Sequence, residues 1–213
     1  MHDATQPAST PADGPVPFFF GGRLCLDFIN TVNSRSRPAT KDYLPDYAAV
    51  LGWCRQTRLF KPLALQRLEE EARSAPHKAA EAHAAAIALR EALHRIFHSL
   101  IAGAPTSQDD MFVLNGCLHD ARQRQVLAAT GTKFTWIWDM ARLDLHSPAG
   151  AIAVSAACVL TEDNPARIKE CPAPEGCGWL FYDETKNASR RWCSMEHCGS
   201  TAKARRYAAR HRV

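Results

Sequence analysis

A chain of 213 residues with 46% apolar side chains has enough material for a buried core, and a combined 24 prolines and glycines exclude a collagen-like or broadly disordered polymer. The net charge of +4 is unevenly placed: residues 1–165 carry 16 basic and 17 acidic side chains, whereas residues 166–213 carry 10 and 5. No cationic, apolar secretory leader opens the chain and no segment is long enough to span a membrane, so we expect a cytoplasmic protein whose eight cysteines are reduced.

Residues 1–17, rich in Pro, Ala, Ser and Thr, read as a disordered leader, with order beginning at Phe18. After the Gly21–Gly22 turn signal, Leu24, Leu26 and Phe28 alternate like a strand, while Leu24, Phe28 and Val32 recur every four residues like a helix. Both readings stay open. Helices are expected over 45–58, with Tyr47, Val50, Leu51 and Cys54 as one stripe, over 62–73, and over the alanine-rich 78–101, where Leu89, Leu93, Ile96 and Leu100 form the apolar face. Another is expected over 109–121. The segments "RQVLAA" and "KFTWIW" flank Thr130–Gly131 as a hairpin, with Phe134, Trp136 and Trp138 on one face and core packing expected for the tryptophans. A buried helix over 149–160 follows, and "TEDNP" at 161–165 is a turn. The expected fold is mainly α, α+β with a small sheet or hairpin: a helical domain over 18–165 plus a small C-terminal module over 166–213.

The cysteines divide into two groups. Cys25, Cys54, Cys117 and Cys158 are scattered among apolar residues and read as core thiols. Cys171, Cys177, Cys193 and Cys198 sit in a short, polar, basic stretch with the spacing Cys-x5-Cys-x15-Cys-x4-Cys. Two ligands from one turn and two from another, with a loop between them, suit a tetrahedral structural zinc, one Zn2+ per chain. "CPAPEGC" is a turn by composition, "GWLFYD" an extended arm, "ETKNASRR" a second turn, and "CSMEHCGSTAKARRYAARHR" puts the last two cysteines at the start of a terminal helix. His197 and His211 are alternative donors. Unliganded thiols, or a redox role, are the competing readings. Four thiolates around a divalent ion leave a formal charge of −2, which nearby cations offset.

"CGWLFYDETKNASRRWCSMEHCG" followed by "AKARRYAARHR" resembles the CGNR zinc finger, a bacterial module at the C-terminus of stress-induced transcription regulators. "GGRLCLDFINTVNSR" resembles the start of the ABATE domain that accompanies it, so the likeness covers nearly the whole chain from about Phe20. The resemblance implies zinc held by Cys171, Cys177, Cys193 and Cys198. It also departs from the family: Cys198 and Gly199 are followed by Ser200 and Thr201, where the name-giving pair is Asn and Arg. Zinc binding tolerates that change, while an arginine is lost from the start of the helix.

A basic, zinc-stabilised module fits double-stranded DNA. Lys186, Arg190, Arg191, Lys203, Arg205, Arg206, Arg210 and Arg212 are the candidate contacts, and Lys203, Arg206 and Arg210 share one helical face. One small finger offers little surface, so a homodimer through the N-terminal domain would place two on one duplex. The competing readings are a zinc-stabilised protein scaffold and a solubilising tail. Asp27, Asn30, Asn33 and Arg35 form a polar cluster that either caps and turns the chain or senses a small-molecule effector. His94 and His98, one helical turn apart, lack a supporting motif for a second metal.

Overall fold

The computed structural model describes residues 19–33, 35, 41–172 and 177–211. The expected leader over 1–17, Phe18 and Arg212 lie outside that set. Over 24–32 the chain takes both forms in turn: α1 (Leu24–Ile29), a turn through Asn30 and Thr31, then β1 (Val32–Asn33), paired antiparallel with β2 (Lys41–Asp42). Gly21 must be glycine, because a Cβ there would stand 2.8 Å from the Asp27 backbone nitrogen and 2.9 Å from Asp27 Oδ1.

Four helices follow. Asp46 caps α2 (Tyr47–Gln56) by accepting from the Ala49 amide. Prolines occupy the first positions of α3 (Pro62–Ser74) and α4 (Pro76–Ala102), where the missing N–H is harmless. Ser107 caps α5 (Gln108–Gln123). The expected hairpin forms from β3 (Gln125–Thr130) and β4 (Lys133–Trp138), with Thr130 paired to Lys133. α6 (Ser147–Glu162) then runs through the middle of the molecule. Its Ala and Gly residues are buried over most of their circumference, as expected of a helix surrounded by others. Phe28 of α1 meets Trp53 of α2 edge-on at 5.2 Å, and Leu89, Leu93, Ile96, Phe97, Leu114 and Ile152 fill the space between α4, α5 and α6.

Past a single 3-10 turn (Pro165–Arg167), β5 (Ile168–Glu170) and β6 (Leu180–Tyr182) pair antiparallel, and α7 (Ser200–Arg210) ends the described chain. The turn expected at 161–165 is not a gap in packing. Ile168, Leu180 and Tyr182 enter the same core as the helices. The Asn30 amide holds β6 as a neighbouring strand would: Nδ2 donates to Leu180 O at 2.8 Å, and Oδ1 accepts from Leu180 N at 2.9 Å. The Tyr182 amide donates to Gly21 O at 2.8 Å, and Trp179 Nε1 to Val32 O at 3.1 Å. Nearby, buried Arg90 donates to both carboxylate oxygens of Asp42 at 2.8 and 2.6 Å and to Thr31 Oγ1 at 3.2 Å, fixing the β1–β2 segment on α4.

Asn30→Ala leaves a buried N–H and a buried C=O without partners. We expect a loss of about 2–4 kcal/mol in urea unfolding, larger than for an ordinary turn residue. Asp27 behaves differently. Burial pushes its carboxyl up to about 6, against the hydrogen bond it accepts from Gly21 N at 2.7 Å. The folded protein therefore holds this proton more tightly than the unfolded chain. That stability is present below the unfolded value, about 4, and is lost as pH rises through about 6. Asp27→Asn should stabilise the fold at alkaline pH by about 1–2 kcal/mol and change little in acid, as read from unfolding curves at the two pH values.

Candidate metal centre and basic helix

The polar C-terminal stretch folds around its cysteines. Cys171 follows β5, and two backbone bonds close the hairpin beside it: Cys171 N to Trp179 O at 2.8 Å, and Gly178 N to Cys171 O at 3.1 Å. Gly178, directly after Cys177, adopts φ +74°, a left-handed conformation that glycine takes without cost. The other pair comes from the approach to α7. Cys193 is followed by Ser194, which caps one wide π turn (Met195–Gly199) containing Cys198, and α7 continues directly from that turn. Trp179, Phe181, Trp192 and Ala202 are buried around the sulfurs as a second, smaller core, with Phe20 packed against it.

The four sulfur atoms all lie within 4.8 Å of one another. Cys177 Sγ is 3.4 Å from Cys193 Sγ, and Cys193 Sγ is 3.6 Å from Cys198 Sγ. A zinc ion with bonds of about 2.3 Å to four sulfurs in a tetrahedron requires sulfur–sulfur edges of about 3.8 Å. The donor set and its spacing therefore fit a single structural zinc. Four sulfurs also fill the tetrahedral shell and leave no open position for a reacting water, so the site does not suit a catalytic ion. Four thiols this close titrate together, because each negative charge opposes the next. His197 stays outside the cluster: it is exposed, with Nδ1 3.2 Å from Ser194 Oγ. His211 stacks on Tyr207 at 4.1 Å, at the far end of α7.

The loop between the cysteine pairs is tied from inside. Asp183, fully buried, accepts from Lys169 Nζ at 2.7 Å, Thr185 Oγ1 at 2.6 Å and the Arg190 amide at 2.8 Å. Burial would raise its carboxyl, but Lys169 and Thr185 hold it well below the usual carboxylate range. Arg190 points inward: its guanidinium lies 4.6 Å over the Phe181 ring and donates to the carbonyls of Trp192, Cys193 and Phe20. It knits the finger together, an arrangement its place beside Arg191 in the sequence did not disclose. Trp179, Phe181 and Trp192 are packing residues.

The other basic candidates lie outside. Lys186, Arg191, Lys203, Arg205, Arg206 and Arg210 are all exposed, with Arg191 lying 4.9 Å over the Trp192 ring. Among the described residues of α7 only Ala202 is buried. The Ser200 and Thr201 hydroxyls, standing where the family has Asn and Arg, donate back to the carbonyls of Met195 and His197 at 3.1 and 2.8 Å.

The polar quartet near the start is not gathered into one site. Asp27 binds Gly21, Asn30 clamps β6, and Arg35 is paired with Glu91 on α4 at 2.5 Å. Asn33 lies in β1. None of the four lines the cleft of about 740 Å³ between α2, α3 and α4, whose wall includes Tyr47, Leu51, Arg55, Ala72, Ala79 and His83. No sequence signal marks that cleft, because its lining comes from three different helices. Two other expectations are corrected. Trp136 is 53% exposed, because the hairpin stands away from the core, and Cys158 is exposed on α6. Cys25 and Cys54 are buried, and burial pushes both thiols up to about 12.

The fold and its cysteines thus define a helical domain that carries a zinc finger. Residues 22–163 match the ABATE family, described as "Putative stress-induced transcription regulator", and residues 167–211 match the CGNR zinc finger. The chain belongs to the ABATE family and ends in a CGNR zinc finger. Curated proteins give no match to it. No described helix is long and apolar enough to cross a membrane.

Elemental analysis and native mass spectrometry should find one zinc per chain. Cys193→Ser/Cys198→Ser should lose it and expose residues 167–211 to proteolysis, while α1–α6 keep their helical signal. A double variant that retains stoichiometric zinc would contradict the four-sulfur site.

Proposed function

We propose that this protein is a zinc-dependent, DNA-binding transcription regulator in which the finger holds α7 against the duplex. Cys171, Cys177, Cys193 and Cys198 hold the ion, whose part is structural: it draws the β5–β6 hairpin and the start of α7 to one point. The observation that carries the reading is α7 itself. It is uncovered beyond its first turn and presents Lys203, Arg205, Arg206 and Arg210 without an acidic residue among them. Lys186 and Arg191 extend the positive surface from the neighbouring loop. A helix of this kind suits phosphate contacts flanking a groove. Arg190 serves from within, by fixing the loop that presents Arg191. Residues 18–165 act as the regulatory domain, and the cleft between α2, α3 and α4 is the place for a small effector in this reading.

Affinity for a mixed-sequence duplex, measured at several salt concentrations, tests the proposal. With four to six phosphates neutralised, the log–log slope should be about −4 to −5. Lys203→Ala/Arg206→Ala/Arg210→Ala should flatten it by about 3 and keep its zinc. Binding that does not respond to salt, or no binding at all, would favour a protein scaffold.

A further inference from the structure

The β3–β4 hairpin leaves more apolar surface in water than its size explains. In its register Leu127 stands opposite Trp136 and Ala129 opposite Phe134, so Leu127, Phe134 and Trp136 share one face. They are 56%, 69% and 53% exposed. Val126 and Ile137 stand opposite each other on the reverse face and are 39% and 44% exposed. Only the inner end is anchored, where Trp138 meets Phe60 edge-on at 5.7 Å. Arg122 lies 5.0 Å from the Trp136 ring and covers it in part. The two strands hold one charged residue, Lys133, and no proline. They therefore lack the devices that usually blunt a free strand edge.

We propose that this hairpin is a dimerisation arm, and that the Leu127–Phe134–Trp136 face packs on the same face of a second copy of this chain. Three observations select that occupant. A nearly uncharged face gives a charged partner nothing to select, whereas a two-fold axis matches an apolar patch with itself. Aromatic side chains of about 150–250 Å² each make the exposed apolar area of the arm on the order of 400 Å² per copy, the size of the largest patch a monomer usually displays, which is often an interaction site. Two such arms, with the adjoining strand edges and the exposed Met140, bury about 1,000 Å² in total, the lower bound for a specific interface. The arm is separate from α7, so the inference stands on the hairpin alone. Where the DNA-binding reading also holds, pairing supplies two fingers to one duplex.

Sedimentation of the zinc-loaded full chain across the micromolar range tests it. We expect a species of twice the 23.6 kDa chain mass. Leu127→Glu/Trp136→Glu should raise the dissociation constant at least tenfold and leave circular dichroism and zinc content unchanged. If that variant misfolds, Phe134→Ser/Trp136→Ser serves in its place. A parent that stays monomeric throughout, or a dimer that survives both variants, overturns the proposal, and a monomeric parent would leave the arm to a different protein. Lys203→Ala/Arg206→Ala should not alter the mass, which separates failure of the arm from failure of DNA binding.

Discussion

Four sulfur atoms within 4.8 Å of one another cannot all carry charge unless a cation stands among them. The C-terminal stretch is arranged around that constraint. Its own core amounts to a few rings and Ala202, too little apolar surface to order two turns, a hairpin and a helix start. A structural zinc contributes about 10–16 kcal/mol in modules of this size, ample to fix such a segment. The ion also sets the position of α7, because Cys198 lies in the turn from which that helix springs and Ala202 is its one buried residue. Everything beyond Ala202 is aimed by the metal centre rather than by packing along the helix.

The finger is not hung on a loose linker. Asn30 pairs with both backbone groups of Leu180, Gly21 receives the Tyr182 amide, and Trp179 bonds to Val32. Three contacts from the N-terminal thirty-odd residues thus hold β6, whose neighbours carry the first cysteine pair. The uneven charge of the chain follows the same division in part: Lys169 and Arg190 turn inward to tie the finger, while Lys186, Arg191 and the cations of α7 face outward.

What the sequence made legible was local. Helix spans, the hairpin and the cysteine quartet all depend on spacings of a few residues, or on a ligand count that a metal imposes. What it hid was determined by contacts across the chain. Arg190 and Arg191 are identical in type and adjacent, yet one donates to interior carbonyls and the other faces water, because Phe181 and the Cys193 carbonyl wait on one side only. Asn30 does cap α1 and turn the chain, but its side chain also has a partner 150 positions away that no local pattern reveals. Trp136 and Trp138 share a face by periodicity, but only Trp138 is near enough to the hairpin's root to reach Phe60. The start of the domain read as helix and strand at once because it is a helix that turns into a strand within nine residues.

The departure at Ser200 and Thr201 has a physical reading. A π turn is wider than an α turn, and here the Ser200 amide already donates to both Met195 O and His197 O. Ser200 and Thr201 hydroxyls supply further donors to the same two carbonyls. An arginine at this point would instead project a charge from the first turn of α7, where the helix dipole disfavours cations. Here the cations begin at Lys203 and continue through Arg205, Arg206 and Arg210, toward the end of the helix where the dipole favours them. In helices that read bases, the N-terminal residues reach the base edges. In the proposed DNA-binding reading, a helix whose first turn spends its hydroxyls on its own backbone and whose charge lies further along contacts phosphate first. On the proposed reading, affinity and placement on the duplex come from α7, and discrimination between sequences depends on how two fingers are spaced.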